Sequence, residues 1–239
     1  MVYFLIPVFN EALNIEALAG NLVSVLKEDD IKFVFSDDGS TDGSPDMIKK
    51  FFPEGKTVVL GDGKNYGPGN AFNVGFEWIL KESNNDNDIV LTIEADNTSD
   101  ATIVPAMVQI SRLGFNLVLA SVYSQGGGFQ KTSFLRKLLS ACANTLMRLI
   151  FDLHVQTLSS FYRVYSVGLL RTVKAKYSTL IKEPGFLCMI EMLMKCIKVK
   201  ANVIEVPTML YSEKRKGKSK MKLMKTTFSY VRFMFSNKY

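Results

Sequence analysis

The chain has 239 residues, of which 47% are hydrophobic and 22% charged, so it can bury a core as one large domain or two closely packed ones. This composition excludes an intrinsically disordered chain. The formal net charge of +6 is uneven, because residues 1–100 contain 18 Asp and Glu against 7 Lys and Arg, whereas residues 101–239 contain 5 against 22. An acidic metal site facing a basic, phosphate-binding region would explain this distribution, and solvated helix faces are the alternative.

Short apolar segments alternate with longer amphipathic ones through the first half of the sequence. This alternation predicts βαβ units and a parallel sheet that is covered by helices on both faces. In chain order the predicted elements are strand 2–7, helix 11–27, strand 32–36, helix 45–52, strand 57–60, helix 67–81, strand 89–93 and helix 101–113. In sheets of this kind, ligands bind beyond the carboxyl ends of the strands.

Acidic residues follow three of these strands and should converge on one rim of the sheet. They are Glu11, Asp37, Asp38, Glu94 and Asp96. Glu94 and Asp96 are two residues apart at a strand end, so their side chains face the same way and suit a hard divalent cation such as Mg²⁺ or Mn²⁺. A polar turn that ends the strand and caps the next helix is the alternative, and the strand alone does not decide between them.

Four segments then occur in order: IPVFNEALNIEAL, FSDDGSTDGS, NYGPGNAFNVG and IEADNTSD. Their order and spacing resemble the nucleotide-binding half of an inverting family 2 glycosyltransferase. The resemblance implies the GT-A fold, an α/β architecture with a Rossmann-like, mostly parallel sheet flanked by helices and an acceptor-side helical portion. It also implies a metal ion held by Glu94 and Asp96, although the family has Asp where this chain has Glu94. The residues implied to hold the nucleotide-sugar here are Pro7, Phe9, Asn10, Glu11, Asp37, Asp38, Gly67 and Gly69.

The glycines of residues 61–69 need a separate interpretation. Their spacing does not fit the dinucleotide fingerprint G-x-G-x-x-G, and no Lys-Ser or Lys-Thr pair follows as in a P-loop. As in similar segments of the family, Gly67 and Gly69 are expected to let the helix approach the nucleotide closely.

The second half begins with a predicted strand at 116–121 and a long helix at 134–151. Arg136, Ser140 and Asn144 are four residues apart and share one face of this helix, which is otherwise mostly apolar. Such a polar stripe can bind an anion, and a solvent-facing stripe is the alternative.

This helix and its neighbours are similar to the dolichyl-phosphate mannose synthase branch of the family and to related polyprenyl-phosphate glycosyltransferases. In that branch a triple-glycine loop and arginines hold the phosphate of the lipid acceptor. The matching residues are Gly126, Gly127, Gly128, Arg136, Ser140, Asn144, Asp152 and Arg163. The chain departs from the branch at Val122, where an Arg is usual, and at Phe161, where a Gly is usual.

Glu191 lies in an apolar helix that is predicted to end near residue 198, and it faces either the cleft or solvent. If the acceptor were a sugar hydroxyl, Glu191 or Asp152 would be the candidate general base. A strand is predicted at 200–206.

The basic segment 212–220 resembles the family's Arg-x-x-Gly-x-Ser-Lys loop, which closes over the donor diphosphate. The match implies a role for Ser219, for Lys220 and for either Lys214 or Arg215. Residues 221–239 mix basic and aromatic side chains at a spacing that suits a helix in a membrane interface, or a helix packed on its own domain.

The three cysteines have no metal-ligand spacing and lie in apolar surroundings, which predicts reduced thiols and a cytoplasmic protein. No signal peptide is predicted, and no apolar run approaches the ~18 residues that cross a bilayer. We therefore expect a cytoplasmic protein that reaches a membrane, if at all, from its surface or through an anchoring partner.

These observations predict a GT-A domain over 1–210, with its nucleotide-sugar half at 1–100 and its acceptor half at 101–210, and a basic loop and amphipathic helix at 211–239. The expected function is metal-dependent, inverting transfer of mannose or glucose from GDP-mannose or UDP-glucose to a polyprenyl phosphate, with Mg²⁺ or Mn²⁺ as cofactor. The residues assigned to catalysis are Asp96, Arg136, Arg163 and Glu191.

A soluble family 2 transferase with a saccharide acceptor is the first alternative. A non-catalytic protein that binds nucleic acid or anionic lipid is a distant second, because it gives no reason for acids at three strand ends, and no nucleic-acid partner is expected.

Overall fold

The computed structural model describes residues 1–26, 30–151 and 154–217. Strands and helices alternate in the first part of the chain, as the hydrophobic pattern predicts. The strands are β1 (Val2–Val8), β2 (Ile31–Asp37), β3 (Thr57–Leu60), β4 (Ile89–Thr92), β5 (Leu117–Ser121), β6 (Gly128–Gln130), β7 (Arg163–Ser166), β8 (Val203–Pro207) and β9 (Met209–Tyr211). The helices are α1 (Ala12–Leu22), α2 (Ser44–Phe51), α3 (Pro68–Glu82), α4 (Val104–Arg112), α5 (Phe134–Phe151), α6 (Val167–Tyr177) and α7 (Cys188–Lys198).

Within the described residues, the main sheet has seven strands in the order β3-β2-β1-β4-β7-β5-β8. Neighbouring strands are parallel except at β7, which runs antiparallel to both β4 and β5. The sequence analysis predicts neither β7 nor α6. Only two of the four residues of β7, Val164 and Tyr165, are apolar, so the segment lacks the hydrophobic run that marks the other central strands.

The main sheet is buried on both faces. Along β1, Leu5 packs toward α3, α6 and α7, whereas Phe4 packs toward α1, α2 and α4. Burial on both faces explains why the central strands are continuous apolar runs without polar alternation. Among the described helices, none is both long and apolar enough to span a bilayer.

The strand order places the carboxyl ends of β2, β1 and β4 side by side, so the acidic turns after them lie on one rim, as predicted. A second, two-stranded sheet pairs β6 with β9 in parallel. Strand β9 also runs beside the segment after β4, since Tyr211 N donates to Thr98 O (2.8 Å). The small sheet therefore brings residues 212–217, the described part of the basic loop, to the acidic rim.

Candidate active site

The turns after β1 and β2 bind each other through hydrogen bonds. Asn10 has a left-handed backbone (φ 54°), and its amide donates to the Ser40 hydroxyl (2.9 Å). In return, the Asn10 side-chain oxygen accepts from the Thr41 amide (2.8 Å). These contacts fix the predicted nucleotide-binding turn of β1 against the acidic turn of β2.

Asp42 provides a second link between the same turns. Its carboxylate accepts from the amide of Ala12 (2.9 Å), the first residue of α1, and from the Ser44 hydroxyl (2.6 Å). Partial burial acts to raise the pKa of Asp42, but the hydrogen bonds from Ser44 and Ala12 outweigh it, so the pKa lies below the usual value. Helix α1 thus receives its N-terminal cap from a neighbouring loop, because Glu11 forms no side-chain cap.

Asp38 is buried and holds the loop that leads into α3. Its carboxylate accepts from the amides of Tyr66 (2.8 Å) and Gly67 (2.9 Å). Loss of hydration by burial raises the pKa of Asp38, and the two amide bonds offset only part of this effect. Asp37 is partly exposed and accepts from the Ser40 amide (3.1 Å), so it is the more accessible carboxylate of the pair.

Gly67 and Gly69 have a packing role that the sequence does not predict. A Cβ atom on Gly67 would lie 2.4 Å from the carbonyl oxygen of Pro184, and one on Gly69 would lie 1.9 Å from that of Glu183. The Gly69 amide also donates to Pro184 O (2.9 Å). The glycines allow segment 183–184 to pack directly on α3, and their predicted close approach to a nucleotide stays a prediction.

Asp96 and Glu94 lie at the carboxyl end of β4, where the sequence predicts them. Asp96 is 3% exposed, and its Oδ1 accepts from the amide (3.0 Å) and hydroxyl (2.7 Å) of Thr98. Its Oδ2 forms an ion pair with Arg215. Glu94 is partly buried and accepts from the Ser99 hydroxyl (2.8 Å).

Asp96 and Glu94 are the two acids that the sequence predicts as ligands of a Mg²⁺ or Mn²⁺ ion. Among the described residues, no three His, Cys, Asp or Glu side chains are grouped so that they could hold a metal by themselves. Such a group is not needed where one or two carboxylates and the phosphates of a bound nucleotide share the coordination. Asp96 Oδ2 is paired with the Arg215 guanidinium in this structure.

The sequence does not decide whether Lys214 or Arg215 takes the place of the family's loop arginine, and only one of the two forms the ion pair with Asp96. Arg215 contacts Asp96, whereas Lys214 Nζ lies 3.9 Å from the centroid of the Tyr211 ring. Arg215 Nε is buried and has no hydrogen-bond partner among the described residues. Ser219 and Lys220, the other predicted members of this loop, lie outside the described residues.

Asn14 is a site residue that the sequence analysis missed. It is 1% exposed, and its amide group bonds both backbone atoms of Lys216: Nδ2 donates to the carbonyl (3.0 Å) and Oδ1 accepts from the amide (2.9 Å). Asn14 therefore holds the basic loop against α1, next to Asp96. A polar residue on the buried face of α1 was the available signal, but its partner lies 202 residues away.

On the acceptor side, the triple-glycine loop is a tight turn against the start of β9. A Cβ atom on Gly127 would lie 2.5 Å from Ser121 O, and the Gly128 amide donates to Thr208 O (3.0 Å). Gly126 has a left-handed backbone (φ 91°), which favours glycine.

Two residues of the predicted polar stripe on α5, Ser140 and Asn144, face the protein. Asn144 is 7% exposed, and Ser140 accepts from the Tyr123 hydroxyl (2.7 Å). For these two residues, the alternative of a solvent-facing stripe is wrong. Arg136 lies within α5, but its side chain is outside the described residues, as is Asp152 altogether.

The structure corrects the assignment of Arg163 to the acceptor. Arg163 is fully buried, and its guanidinium donates to the carbonyls of Met189 (2.8 Å) and Leu158 (2.5 Å). These contacts hold its charge in the core, although its backbone pairs with Thr92 at the carboxyl end of β4. The unusual Phe161 nearby stacks on Phe186, with ring centroids 5.8 Å apart, and so fills space in that core.

Glu191 is likewise fully buried and faces neither the cleft nor solvent. It forms an ion pair with Lys195 (2.7 Å) and accepts from the amides of Lys182 and Glu183 (2.9 and 2.7 Å). The pair therefore anchors the segment that packs on Gly67 and Gly69. This placement corrects its assignment as a catalytic residue.

Comparison with known proteins agrees with this geometry. The model of the family described as "Glycosyl transferase family 2" matches residues 3–174, so the chain belongs to that family. Glucosyl-3-phosphoglycerate synthase from Mycobacterium tuberculosis, in complex with phosphoglyceric acid, superposes with a TM-score of 0.67 at 17% identity, covering 99% of this chain and 79% of that one. Its complex with Mn²⁺ and uridine-diphosphate-glucose gives 0.65 at 18% identity, with 98% and 76% covered. The predicted GT-A fold is confirmed.

Similar sequences have more specific names. An undecaprenyl-phosphate mannosyltransferase of Micrococcus luteus is 26% identical over 92% of this chain and 87% of its own length. A polyprenol monophosphomannose synthase of Mycolicibacterium smegmatis is 25% identical over 91% of this chain and 79% of its own. A dolichol-phosphate mannosyltransferase of Pyrococcus furiosus is 26% identical over 98% of this chain and 62% of its own. The predicted resemblance to polyprenyl-phosphate glycosyltransferases is confirmed.

Proposed function

We propose that this chain transfers a hexose, with inversion, from a nucleotide diphosphate sugar to a polyprenyl phosphate. Two relatives that are similar over more than nine-tenths of the chain are named for such acceptors. The observation that supports this function most directly is the arrangement at Asp96, where the buried acid at the end of β4 meets Arg215 of the basic loop.

The arrangement at Asp96 suits a diphosphate leaving group. Arg215 Nε is buried without a hydrogen-bond partner among the described residues, and a phosphate oxygen would supply the missing acceptor. Negative charge develops on the diphosphate as the sugar departs, and a cation held beside it lowers the barrier. Asn14 fixes the loop that positions Arg215.

A divalent cation belongs to the same proposal. Asp96 and Glu94 would hold Mg²⁺ or Mn²⁺, which would offset charge on the donor diphosphate. Removal of divalent cations with EDTA should therefore abolish transfer, and added Mn²⁺ or Mg²⁺ should restore it. Full activity in EDTA would show that Arg215 and the rest of the loop provide enough charge without a metal.

A phosphate acceptor also agrees with the placement of Glu191. A phosphate monoester is largely ionised near neutral pH, so it needs positioning more than it needs a general base. Glu191 is buried and paired with Lys195, and so it is not available as the base that a hydroxyl acceptor would need. In the proposal, Ser140, Asn144, Arg136 and the triple-glycine loop position the acceptor phosphate.

The test is product formation from radiolabelled GDP-mannose and UDP-glucose, each with a short polyprenyl phosphate and Mn²⁺. Label should move into the organic phase from one of the donors, and the mannosyl names of the relatives favour GDP-mannose. Label that moves only when saccharides are added would replace the proposal with the soluble transferase.

Two variants make this test specific. Asp96→Ala removes the buried acid and should lower transfer by about 10²-fold to 10³-fold, the usual effect of losing a group that stabilises developing charge. Asp46→Ala changes an exposed acid on α2 and is the matched control, with transfer unchanged. Equal activity of the two variants would remove Asp96 from the site.

A further inference from the structure

Both carboxylate oxygens of Asp96 have partners within the protein. Oδ1 accepts from the amide and the hydroxyl of Thr98 (3.0 and 2.7 Å). Oδ2 is paired with the Arg215 guanidinium. Because Asp96 is buried, its ionised carboxylate needs a positive charge close by, and Arg215 supplies it.

The backbone on either side of Arg215 is held in place. Before it, the Tyr211 amide donates to Thr98 O (2.8 Å). After it, the Asn14 side chain bonds both the carbonyl and the amide of Lys216 (3.0 and 2.9 Å). The loop therefore sets the ion pair, and the guanidinium can leave it by rotation of the side chain while the loop stays docked.

The Arg215 guanidinium also has an unused donor. Its Nε is buried and has no hydrogen-bond partner in the described ranges 1–26, 30–151 and 154–217. Buried N–H groups normally have an acceptor, and an arginine side chain can bind a phosphate through two parallel hydrogen bonds. Arg215 thus has two anionic partners to choose between, the carboxylate of Asp96 and the diphosphate of a bound donor.

A divalent cation at Asp96 would need the oxygen that Arg215 holds. A guanidinium and a metal ion are both positive, so they repel each other when they contact the same oxygen atom. Oδ1 is already engaged by Thr98, and the neighbouring Glu94 is bonded to the Ser99 hydroxyl (2.8 Å). Binding of a cation at Oδ2 therefore requires Arg215 to leave.

We propose that Arg215 competes with the divalent cation for Asp96 Oδ2, and that the donor diphosphate ends this competition by binding Arg215 itself. The inference rests on the metal site of the proposed function and adds a regulation to it. A cation alone displaces Arg215 without offering it a new partner, whereas a donor offers phosphate oxygens. Cation and donor therefore bind as a coupled pair, and such coupling changes affinities by about 5-fold to 150-fold.

The test is Mn²⁺ binding to the full chain without nucleotide, with free Mn²⁺ measured by electron paramagnetic resonance. Arg215→Ala should bind Mn²⁺ about tenfold more tightly than the original protein, because Oδ2 is released. Arg215→Gln should give a similar gain, and it keeps a polar side chain in place if Arg215→Ala folds poorly.

Lys214→Ala is the matched control for the Arg215 variants. It removes one positive charge from the same loop, but Lys214 Nζ lies over the Tyr211 ring, 3.9 Å from its centroid. Its Mn²⁺ affinity should stay within about twofold of the original, since a charge outside the ion pair acts only weakly through solvent. The control therefore separates loss of the ion pair from loss of net charge.

A double variant assigns the gain in affinity to Asp96. Asp96→Asn combined with Arg215→Ala should bind Mn²⁺ no more tightly than Asp96→Asn alone, because the anion for which Arg215 competes is gone. A gain that persists in the Asp96→Asn background would mean that Arg215 repels the cation from a distance, and it would overturn the competition.

The outcomes also separate this inference from the proposed function. Mn²⁺ binding by both Arg215 variants that equals that of Lys214→Ala, or no Mn²⁺ binding by any of these proteins, would overturn the competition whatever the transfer assay gives. A tenfold gain in both Arg215 variants, without any sugar transfer by the original protein, would support the competition and remove the proposed function.

Discussion

The acidic rim and the outer side of helix α5 differ in how their side chains are satisfied. At the rim, turns from β1 and β2 exchange hydrogen bonds, and the basic loop adds an ion pair and two backbone bonds. On α5, five large apolar side chains are exposed at the surface: Phe134, Leu138, Leu146, Leu149 and Ile150. The rim is thus built by specific polar pairs within the protein, whereas the outer side of α5 leaves large apolar side chains exposed.

The buried pair Glu191–Lys195, which anchors the segment that packs on Gly67 and Gly69, tests the contribution of specific polar pairs and has the largest expected effect. Glu191→Gln leaves the Lys195 ammonium buried, since that side chain is 1% exposed, and should lower the free energy of unfolding by about 3–5 kcal/mol. The double variant with Lys195→Met should recover part of this loss. Leu149→Ser, on the outer face of α5, should change it by less than about 0.5 kcal/mol. Chemical denaturation measures all three.

The same variants separate a structural role from a catalytic one. If Glu191 only anchors segment 182–183, transfer by the folded fraction of Glu191→Gln should stay within about threefold of the original, an effect below ~1 kcal/mol. A variant with unchanged stability and no transfer would restore Glu191 as a catalytic group and break the comparison.

Asn14 tests whether the rim depends on the docked loop. Asn14→Ala removes both bonds to Lys216 and should raise the KM for the donor about tenfold, equivalent to ~1.4 kcal/mol, with little change in the KM for the acceptor. Asn84→Ala, at an exposed position after α3, is the control. Equal increases in both KM values would indicate general damage to the fold.

A double-mutant cycle with Arg215→Ala makes the Asn14 experiment sharper. If Asn14 positions the loop, Arg215→Ala should have a smaller effect on donor KM in the Asn14→Ala background than in the original protein, because the loop is already displaced. Additive effects would show that Asn14 and Arg215 act independently.

The central strands and the acidic rim could be predicted because hydrophobic runs and strand ends are local features. The apolar segments of β1, β2 and β4 mark their position, and parallel order brings Asp38 and Asp96 to one edge. Strand β7 could not be predicted in this way, since only two of its four residues are apolar and it is defined by its antiparallel neighbours. The difference lies in how far along the chain the stabilising partners are.

The separation along the chain between a residue and its partners also explains the wrong predictions for single residues. The sequence predicts a catalytic role for Arg163 because it matches the phosphate-binding residues of the polyprenyl-phosphate branch, and for Glu191 because a carboxylate in an apolar helix can face a cleft as a general base. Their partners are backbone groups and one lysine that come together only in the fold, so no local pattern in the sequence reveals these contacts. Asn14 was missed for the converse reason, because its partner Lys216 belongs to the other end of the described chain.

Asp42 gives the smallest expected effect and tests whether charge contributes to the rim's polar pairing. Its folded-state pKa is lowered, so it stabilises the folded protein above its unfolded pKa, and this contribution is lost as pH falls through the folded value. Asp42→Ala should lower the free energy of unfolding by about 1 kcal/mol at pH 7, as for other lost helix caps. The deficit relative to the original protein should shrink between pH 7 and acidic pH, as the carboxylate of the original protein becomes protonated on passing its lowered folded-state pKa. Asp46→Ala, at an exposed position on α2, should show neither effect. A deficit that is equal at both pH values would mean that the hydrogen bonds of Asp42 matter and its charge does not.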